Sequence, residues 1–284
     1  MSDLSLIKEL REKTGAGFLD CKNALNENGN NIEQSIDSLR KKGLAKATKK
    51  SSREANEGAV GFFKNENISV ILKINSETDF SAKSDTFLDF LDNIGDIALK
   101  ANNPNLKLND FLKVEDSGKS ISDLLTEMIA KIGENLIIND LKVFDNKENK
   151  VNYYVHNPYR KNIGKIVSAV FYSSVEENND VKIFSKNLCM HIAASKPEAM
   201  DIDKLPADLI ESEKKIQEEM IKDSGKPSNV MEKILDGKMK KFYSEVTLLN
   251  QNFVIDTDKT VKEAISDFNS SNSLTLQNYI LISL

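Results

Sequence analysis

Residues 59–98 read AVGFFKNENISVILKINSETDFSAKSDTFLDFLDNIGDIA, and this stretch decides the fold class. The run Ala59–Lys64 predicts a strand, residues 65–67 predict a turn, and the alternation of apolar residues over 68–74 predicts a second strand. From about Asp79 the spacing of apolar residues becomes that of a helix. The residues on its apolar side are Phe87, Leu91, Ile94 and Ala98. This change of period indicates a mixed fold of strands and helices.

Farther along the chain, the order of elements repeats although the residues do not. Residues 120–135 predict a helix opened by Ser120 with Asp123, and an apolar strand over 136–143 follows. Residues 151–197 again give a strand, a proline-containing turn, a strand and a helix. These strands are Tyr153–His156 and Ile163–Tyr172, and the helix carries Ile183, Leu188, Ile192 and Ala193 on its apolar side. We therefore expect an α+β protein with a duplicated core and antiparallel sheets.

The N-terminal residues predict three short helices joined by tight turns. The first ends at residues 14–17, the second ends at Gly29, and the third ends at Gly43. The second helix carries Phe18, Cys21, Ala24 and Leu25 on its apolar side. Asn31 with Gln34 resembles a capping box at the start of the third. Such a unit buries only a small core, so we interpret it as a docking module.

Residues 203–246 predict an antiparallel helical hairpin inserted before the C-terminal segment. The break between its two helices is Ser224-Gly225-Lys226-Pro227. Ile216 and Met220 of the first helix are expected to face apolar residues of the second. Those residues are Val230, Ile234, Met239 and Phe242.

The remaining tail predicts a short helix near Thr260–Phe268 and an alternating strand from Leu274 to Leu284. Together, these patterns divide the chain into six segments. They are residues 1–45 for the three-helix domain, 46–57 for a linker, 58–147 for core subdomain N, 148–202 for core subdomain C, 203–246 for the helical hairpin, and 247–284 for a C-terminal module with the final core strand.

Composition excludes several classes of protein. Hydrophobic residues make up 39% and charged residues 29% of the chain, which is typical of a globular protein. The net charge is −5 and the charges are dispersed, so direct binding of nucleic acid is not expected. No run approaches the roughly 18 apolar residues of a membrane span, and residues 1–17 lack the features of a secretory signal. We expect a cytoplasmic protein without membrane association, in which Cys21 and Cys189 are reduced and buried.

Motifs for catalysis and cofactors are missing from the sequence. His156 and His191 have no HExxH or H-x₃-H companion, so a zinc site is not expected. Residues 117–120 match the end of a phosphate-binding loop, but position 113 is Lys where that loop needs Gly. We therefore predict no enzymatic activity, no metal and no cofactor.

The segment Glu77-Thr78-Asp79-Phe80-Ser81-Ala82-Lys83-Ser84 lies between a well-patterned strand and a helix. One interpretation is structural, with Thr78 or Asp79 capping the helix and Phe80 packing inward. The other is functional, with an acidic and an aromatic residue protruding together from the start of the helix. Phe80 would then anchor in a partner and Asp79 would disturb a neighbouring charged site. The residues alone favour the structural interpretation.

Several stretches resemble the elongation factor Ts family and occur in that family's order along nearly the whole chain. The most specific is the N-terminal run from Thr14 to Leu25, TGAGFLDCKNAL, which is similar to the family's opening. The others are residues 36–43, 57–58, 78–80, 131–135, 190–197, 224–227 and 253–254. Any one block is weak, but the ordered series is specific.

The resemblance implies a ubiquitin-associated-type (UBA-like) three-helix N-terminal domain, a core of two related α+β subdomains, and an inserted helical hairpin. It implies a guanine-nucleotide exchange factor for elongation factor Tu, in both its GDP-bound and nucleotide-free forms. Release of GDP would follow from disturbing the partner's Mg²⁺ and switch II region during translation elongation. A 2:2 assembly with the partner is left open.

Residue by residue, the resemblance also implies a binding surface. The segment that dislocates the partner's Mg²⁺ would be Thr78, Asp79, Phe80, Ser81, Ala82 and Lys83, and Thr78, Asp79 and Phe80 would also bind the partner. The other partner-binding positions would be Lys22, Lys50, Ile132, Gly133, His156, Val254 and Ile255. Solvated charge is the alternative for the lysines, and core packing is the alternative for Ile132 and Val254. His191 is assigned to packing within its own helix.

Two departures from the family pattern affect these expectations. The family's TDFVARN is TDFSAKS here, so Ser81, Lys83 and Ser84 differ while Thr78–Phe80 is kept. The family's compact H-x-G-x-R-I-G is replaced by the longer segment from His156 to Gly164, which affects the placement of His156. A binding adaptor without exchange activity is the main alternative function, and an enzyme is the third.

Overall fold

The computed structural model describes residues 4–147, 149–222 and 227–284 and divides the chain into two compact units. The first contains Met1–Asn146, Asn157–Ile166 and Ile282–Leu284, and the second contains Lys147–His156 and Val167–Leu281. Helices and antiparallel strands occur together, which confirms the predicted α+β class. The six segments drawn from the sequence stay a prediction.

The elements up to residue 146 all belong to the first unit. They are α1 (Leu4–Thr14), α2 (Phe18–Glu27), α3 (Ile32–Lys50), β1 (Glu57–Lys64), β2 (Ile68–Ser76), α4 (Asp79–Ala82), α5 (Asp85–Ala101), α6 (Leu108–Phe111), β3 (Glu115–Asp116), β4 (Lys119–Ser120), α7 (Ile121–Ile132) and β5 (Leu136–Asp145).

The later elements follow in the same way. They are β6 (Lys150–Arg160), β7 (Ile163–Ser173), α8 (Asn179–Ser195), α9 (Ala207–Lys222), α10 (Ser228–Val246), β8 (Asn252–Phe253), β9 (Asp256–Thr260), α11 (Val261–Phe268) and β10 (Thr275–Ser283), with short 3₁₀ turns at Ile202–Lys204 and Leu248–Asn250.

Three helices form the N-terminal part of the first unit, as predicted, but the third is longer than expected. Their common core consists of Ile7, Leu10, Cys21, Ala24 and Leu25, all fully or nearly fully buried. The predicted end of α3 at Gly43 is wrong, because the helix continues to Lys50. α3 packs against α7, and a Cβ at residue 43 would lie 3.1 Å from the Cβ of Ala130. Gly43 therefore permits close helix packing and does not terminate the helix.

In the first unit, β1, β2 and β5 form an antiparallel sheet in the order β1-β2-β5, and the start of β7 pairs with β1. α5 packs on β1 and β2, and its predicted apolar side is buried as expected. The single helix predicted from Asp79 is instead two helices, α4 and α5. Ser84 separates them, because its side-chain oxygen accepts the N–H of Phe87 at 3.3 Å and so caps a new helix.

β6 is longer than predicted and passes through Pro158 to Arg160. A proline-containing turn was expected there, but the chain turns at residues 161–162. Among the described strands, β6 pairs with β7 alone, and a proline is tolerated on such an edge strand because no N–H is needed on its open side. Within the first unit, Arg160 then donates to Asp92 at 2.7 Å and to Asp89 at 2.7 Å on α5.

In the second unit, the later part of β7 lies between β6 and β10. The core beside it contains Tyr172, Leu188, Ile192, Phe253 and other residues of α8 and the C-terminal segment. Ile183 was predicted on the apolar side of α8 but is 52% exposed. The buried residues of α8 include Val181, Ser185, Leu188, Cys189 and Ile192, which share one helical face.

α9 and α10 pack against each other in the second unit. The predicted break falls mostly on Ser224–Lys226, which lie outside the described residues, and Pro227 precedes α10. The predicted inward orientation of Ile216 and Met220 is wrong, since they are 47% and 66% exposed. Ile221, one position after Met220, is the buried residue of this turn. Across the described ranges, no helix has the length and apolar character needed to cross a bilayer.

Candidate partner-binding surface

Thr78–Phe80, which we call the tip, consists of the N-cap residue of α4 and the first two residues of that helix. Phe80 is 86% exposed, whereas Ser81 and Ala82 beside it are buried. The Thr78 side chain accepts the N–H of Ser81 at 3.2 Å, so Thr78 caps α4. The predicted cap is therefore present, but the inward packing of Phe80 that accompanied it is wrong.

Asp79 forms an ion pair one helical turn along the chain. The Lys83 Nζ donates to the Asp79 Oδ2 at 2.7 Å, and this hydrogen bond lowers the pKa of the Asp79 carboxyl. The Lys83 Nζ also lies 6.0 Å from the ring centre of Tyr159, within the range of a cation–π contact. Asp79 is thus ionised at neutral pH and paired with the Lys83 ammonium group. The side chains of both residues are partly exposed.

The connection Gly133–Asn135, which we call the α7–β5 connection, forms hydrogen bonds with the tip and with Glu77 before it. The Asn135 N–H donates to the Glu77 Oε1 at 2.6 Å, and the Asn135 Nδ2 donates to the carbonyl of Arg53 at 2.7 Å. Glu134 accepts two hydrogen bonds from Thr78, from its N–H at 3.0 Å and from its Oγ1 at 2.7 Å. Glu134 and Asn135 were not among the predicted site residues, since no local pattern connects them to Thr78.

The structure brings Lys50 into contact with Gly133, next to Ile132 in the chain. Their role at a partner surface stays a prediction. Gly133 ends α7 with a φ of +87°, a conformation that suits glycine, and its carbonyl accepts a hydrogen bond from the Lys50 Nζ. Ile132 is only partly buried and packs on the core of the first unit. Gly133 itself is exposed. Lys50 and Gly133 are therefore accessible, while Ile132 serves packing as well.

A groove on the N-terminal helices was not predicted from the sequence. Its volume is about 520 Å³, and Phe18 and Leu19 beside the helix start are 43% and 69% exposed. The residues that line the groove are Leu4, Ile7, Lys8, Arg11, Glu12, Gly15, Ala16 and Phe18. Phe18 was predicted on the apolar side of α2. Lys22 is exposed one helical turn after Phe18, so both lie on the same face of the helix.

In the second unit, Val254 and Ile255 form the two-residue turn of the β8–β9 hairpin and are 40% and 49% exposed. β-Branched residues are unusual at such a turn, where Asn, Asp and Gly are preferred. The N–H of Val254 points to the buried His191, whose Nδ1 accepts it at 3.3 Å. The predicted packing alternative for Val254 does not account for its exposure.

His191 also contacts Gln251, so its role extends beyond packing within its own helix. Because Nδ1 accepts the Val254 N–H, Nε2 carries the proton and donates to the Gln251 Oε1 at 3.0 Å. Burial lowers the pKa of His191 and favours this neutral form.

His156 is exposed at the end of Lys147–His156, the first segment of the second unit. Its Nδ1 lies 3.3 Å from the hydroxyl of Tyr154, and the next residue, Asn157, has a φ of +50°. The left-handed conformation of Asn157 begins the longer segment that departs from the family pattern.

No group of three or more potential metal ligands occurs within the ranges that the structure describes. Cys21 and Cys189 are both buried free thiols, and desolvation raises the pKa of each. Neither thiol is therefore a reactive nucleophile at neutral pH.

Comparison with known proteins matches most of the chain to a single family. The family model described as Elongation factor TS matches residues 77–284. The chain is 40% identical to the elongation factor Ts of Rickettsia felis over 274 residues, covering 94% of this chain and 87% of that protein. It is 39% identical to the elongation factor Ts of Allorhizobium ampelinum over 263 residues, covering 93% of this chain and 85% of that protein. The chain therefore belongs to the elongation factor Ts family of translation elongation factors.

Proposed function

We propose that this chain is a guanine-nucleotide exchange factor for elongation factor Tu. The observation that carries the proposal is the tip, where Phe80 is 86% exposed although Ser81 and Ala82, which follow it, are buried. A large aromatic residue held in water by a capped helix has no folding benefit that explains its exposure. Insertion into a partner would bury it, and aromatic residues are frequent anchors of protein interfaces.

In the proposed mechanism, the tip enters the G domain of elongation factor Tu beside its switch II helix. Phe80 provides the buried anchor, and Asp79 brings a negative charge close to the groups that hold the partner's Mg²⁺. That ion requires nearly ideal octahedral geometry and bridges the nucleotide phosphates to the partner. A small displacement of one of its ligands therefore weakens the binding of both the ion and GDP to the partner.

Exchange also requires that this chain leave its partner again. The tip fits the loosened, nucleotide-free partner better than the GDP-bound one, so binding shifts the population toward release. The coupling is reciprocal, so an incoming nucleotide lowers the partner's affinity for this chain by the same factor. The chain is recycled without making or breaking a covalent bond, so we propose that it is not an enzyme in that sense. Its place of action would be the cytoplasm, where translation occurs.

The other proposed contacts lie elsewhere in the first unit or belong to the second. Lys22 and Lys50 are exposed or half-exposed cations that suit an acidic partner surface. The further proposed contacts are Ile132, Gly133, His156, Val254 and Ile255, with Ser81, Ala82 and Lys83 shaping the tip. The exposed turn at Val254 and Ile255 is the strongest of them, because two apolar side chains lie in water there.

The proposal is tested by timing nucleotide release. Elongation factor Tu is loaded with fluorescent GDP, excess unlabelled GDP is added, and the loss of signal is followed with and without this chain. We expect a clear acceleration by the wild type. Phe80→Ala and Asp79→Ala should each slow the accelerated release by at least about tenfold, which is the typical effect of removing an interface anchor.

A matched control is Val175→Ala in the second unit, because Val175 is also 86% exposed and apolar. This variant should release GDP at the wild-type rate. Thermal unfolding should be nearly unchanged in all three variants, since none of these side chains is buried. If the wild type binds elongation factor Tu without accelerating release, the chain is a binding adaptor. Wild-type rates for both tip variants would assign the exchange activity to another surface.

A further inference from the structure

The tip helix α4 begins with an incomplete capping box. In the usual box, the capping side chain accepts the N–H three residues on, and the side chain at that later position accepts the N–H of the cap. Thr78 makes the first of these hydrogen bonds, to the N–H of Ser81. Ser81 cannot make the second, because its buried hydroxyl has no hydrogen-bond partner among the described residues.

Glu134 supplies the missing half from another element. It lies 56 residues later in the α7–β5 connection, and its carboxylate accepts the Thr78 N–H at 3.0 Å and the Thr78 hydroxyl at 2.7 Å. The Thr78 hydroxyl therefore donates to Glu134 and accepts from Ser81 at the same time. These two directions leave one side-chain orientation for Thr78, and hence one starting geometry for α4.

Two ordinary capping boxes in the same chain show how unusual this arrangement is. Ser120 with Asp123 and Thr260 with Glu263 use the same four groups, but each of these boxes closes within three residues of one helix. The Thr78–Glu134 pair instead ties the tip to the α7–β5 connection. That connection is itself fixed, since Asn135 binds Glu77 and the Arg53 carbonyl.

We propose that Glu134 is a positioning residue that fixes the direction in which Asp79 and Phe80 leave the first unit. This inference rests on the proposed exchange function. α4 has only 4 residues, and so short a helix does not hold its own shape in water. Without the Glu134 carboxylate, the helix start has an open N–H and a free hydroxyl, and the tip samples other directions. Glu134 acts through Thr78 and does not need to touch the partner.

The experiment compares Glu134→Ala with Glu134→Gln and with Glu263→Ala in the GDP-release assay, at a series of concentrations of this chain. Glu263→Ala is the matched control, because it removes the same two hydrogen bonds from the box of α11. We expect Glu134→Ala to lower the maximal release rate between about tenfold and about a hundredfold, as small misplacements of a reacting group do. The half-saturating concentration should change less.

Glu134→Gln should keep most of the activity, within about threefold of the wild type, because its amide oxygen still accepts the Thr78 N–H. Amide hydrogen exchange gives an independent readout that partner binding does not affect. In Glu134→Ala, the amides of Thr78 and Ser81 should exchange faster while the amides of β2 stay protected, which also shows that the variant is folded. Glu263→Ala should leave the amides of the tip as they are in the wild type.

The outcomes distinguish this inference from the function on which it rests. A wild type that does not accelerate release overturns both. An active wild type with Glu134→Ala as active as Glu263→Ala overturns only the positioning role. A loss in Glu134→Ala that appears entirely in the half-saturating concentration, with no change at the tip amides, would make Glu134 a direct partner contact and also overturn it.

Discussion

Ser81 places a hydroxyl in a buried position where no described group hydrogen-bonds to it. The residue is 7% exposed, and its Oγ has no partner within reach. The elongation factor Ts pattern has Val at this position, so an apolar side chain suits the site. A buried hydroxyl without a partner costs on the order of 1–3 kcal/mol.

We therefore predict that Ser81→Ala stabilises the chain by about 1 kcal/mol, because the desolvated hydroxyl is removed and little volume is lost. Ser81→Val should stabilise it further if the methyl groups fit the same space. The free energy of unfolding in urea measures both changes. Ser84→Ala is the contrasting variant and should destabilise, since the Ser84 hydroxyl donates to the Ser81 carbonyl and caps α5. A less stable Ser81→Ala would mean that the hydroxyl has a partner after all.

The contacts of single residues were predicted from the sequence only where the partner residue is close in the chain. The Thr78 cap and the Ser120–Asp123 capping box were predicted, since their hydrogen bonds span three residues. The exposure of Phe80 was not, because the spacing of apolar residues does not tell whether an aromatic residue at a helix start points inward or outward. That choice depends on what packs around α4.

At the scale of elements, His191 connects α8 to the β8–β9 hairpin. Its neutral ring accepts the Val254 N–H and donates to Gln251, and Gln251 in turn donates to the carbonyls of Ser195 and Glu245. Protonation of His191 would convert Nδ1 into a donor facing the Val254 N–H. The hairpin turn with its two exposed apolar residues therefore depends on the neutral form.

We predict that the folded chain loses stability on acidification and that His191 causes this loss. Its pKa is lowered from 6.5 in the folded chain, so below pH 6.5 the unfolded chain binds a proton that the folded chain does not. The contribution of the neutral His191 ring to the free energy of unfolding is fully present above that pH. It is lost as the pH falls toward the lowered pKa. The slope is at most about 1.4 kcal/mol per pH unit.

The measurement is the free energy of unfolding at pH 7.5, 6.5 and 5.5 for the wild type and for His191→Asn. Asn has an amide oxygen that can accept the Val254 N–H and does not titrate in this range. The variant is expected to be less stable at every pH, because it loses ring packing against Phe253. Its curve should nevertheless be flatter, and equal slopes for both proteins would contradict the prediction.

Predicted element boundaries were wrong where tertiary packing changed the meaning of a local signal. Gly43 was interpreted as a helix end, but α3 continues because a glycine allows it to approach Ala130 of α7. Pro158 was interpreted as part of a turn, but β6 continues through it on an open edge. In both cases the residue is compatible with two structures, and only the neighbouring element selects one.

At the scale of the whole molecule, the distribution of charge is the property that bears on partners. The net charge is −5, and many lysines have carboxylates nearby, as in the Lys215–Glu211 pair at 2.8 Å. Such pairing neutralises part of the positive charge that would attract a phosphate backbone.

We predict that the chain binds RNA no more tightly than about 10⁻⁴ M at physiological salt, the weak limit of non-specific binding. Fluorescence anisotropy of a labelled single-stranded RNA, titrated with the chain at two salt concentrations, measures this. Saturable binding in the micromolar range with a steep dependence on salt would show a direct nucleic-acid contact.

The sequence by itself determined the family, the α+β class and the position of most strands and helices. The fold class and the elements depend on periodicity and on caps between neighbouring residues, and the family depends on ordered stretches that resemble it. All of these can be recognised without a structure. The tertiary structure alone decided that Phe80 lies in water, that Glu134 completes the cap at Thr78, and that His191 accepts the Val254 N–H. Those contacts join residues 56 and 63 positions apart, so they exist only once separate elements have packed together.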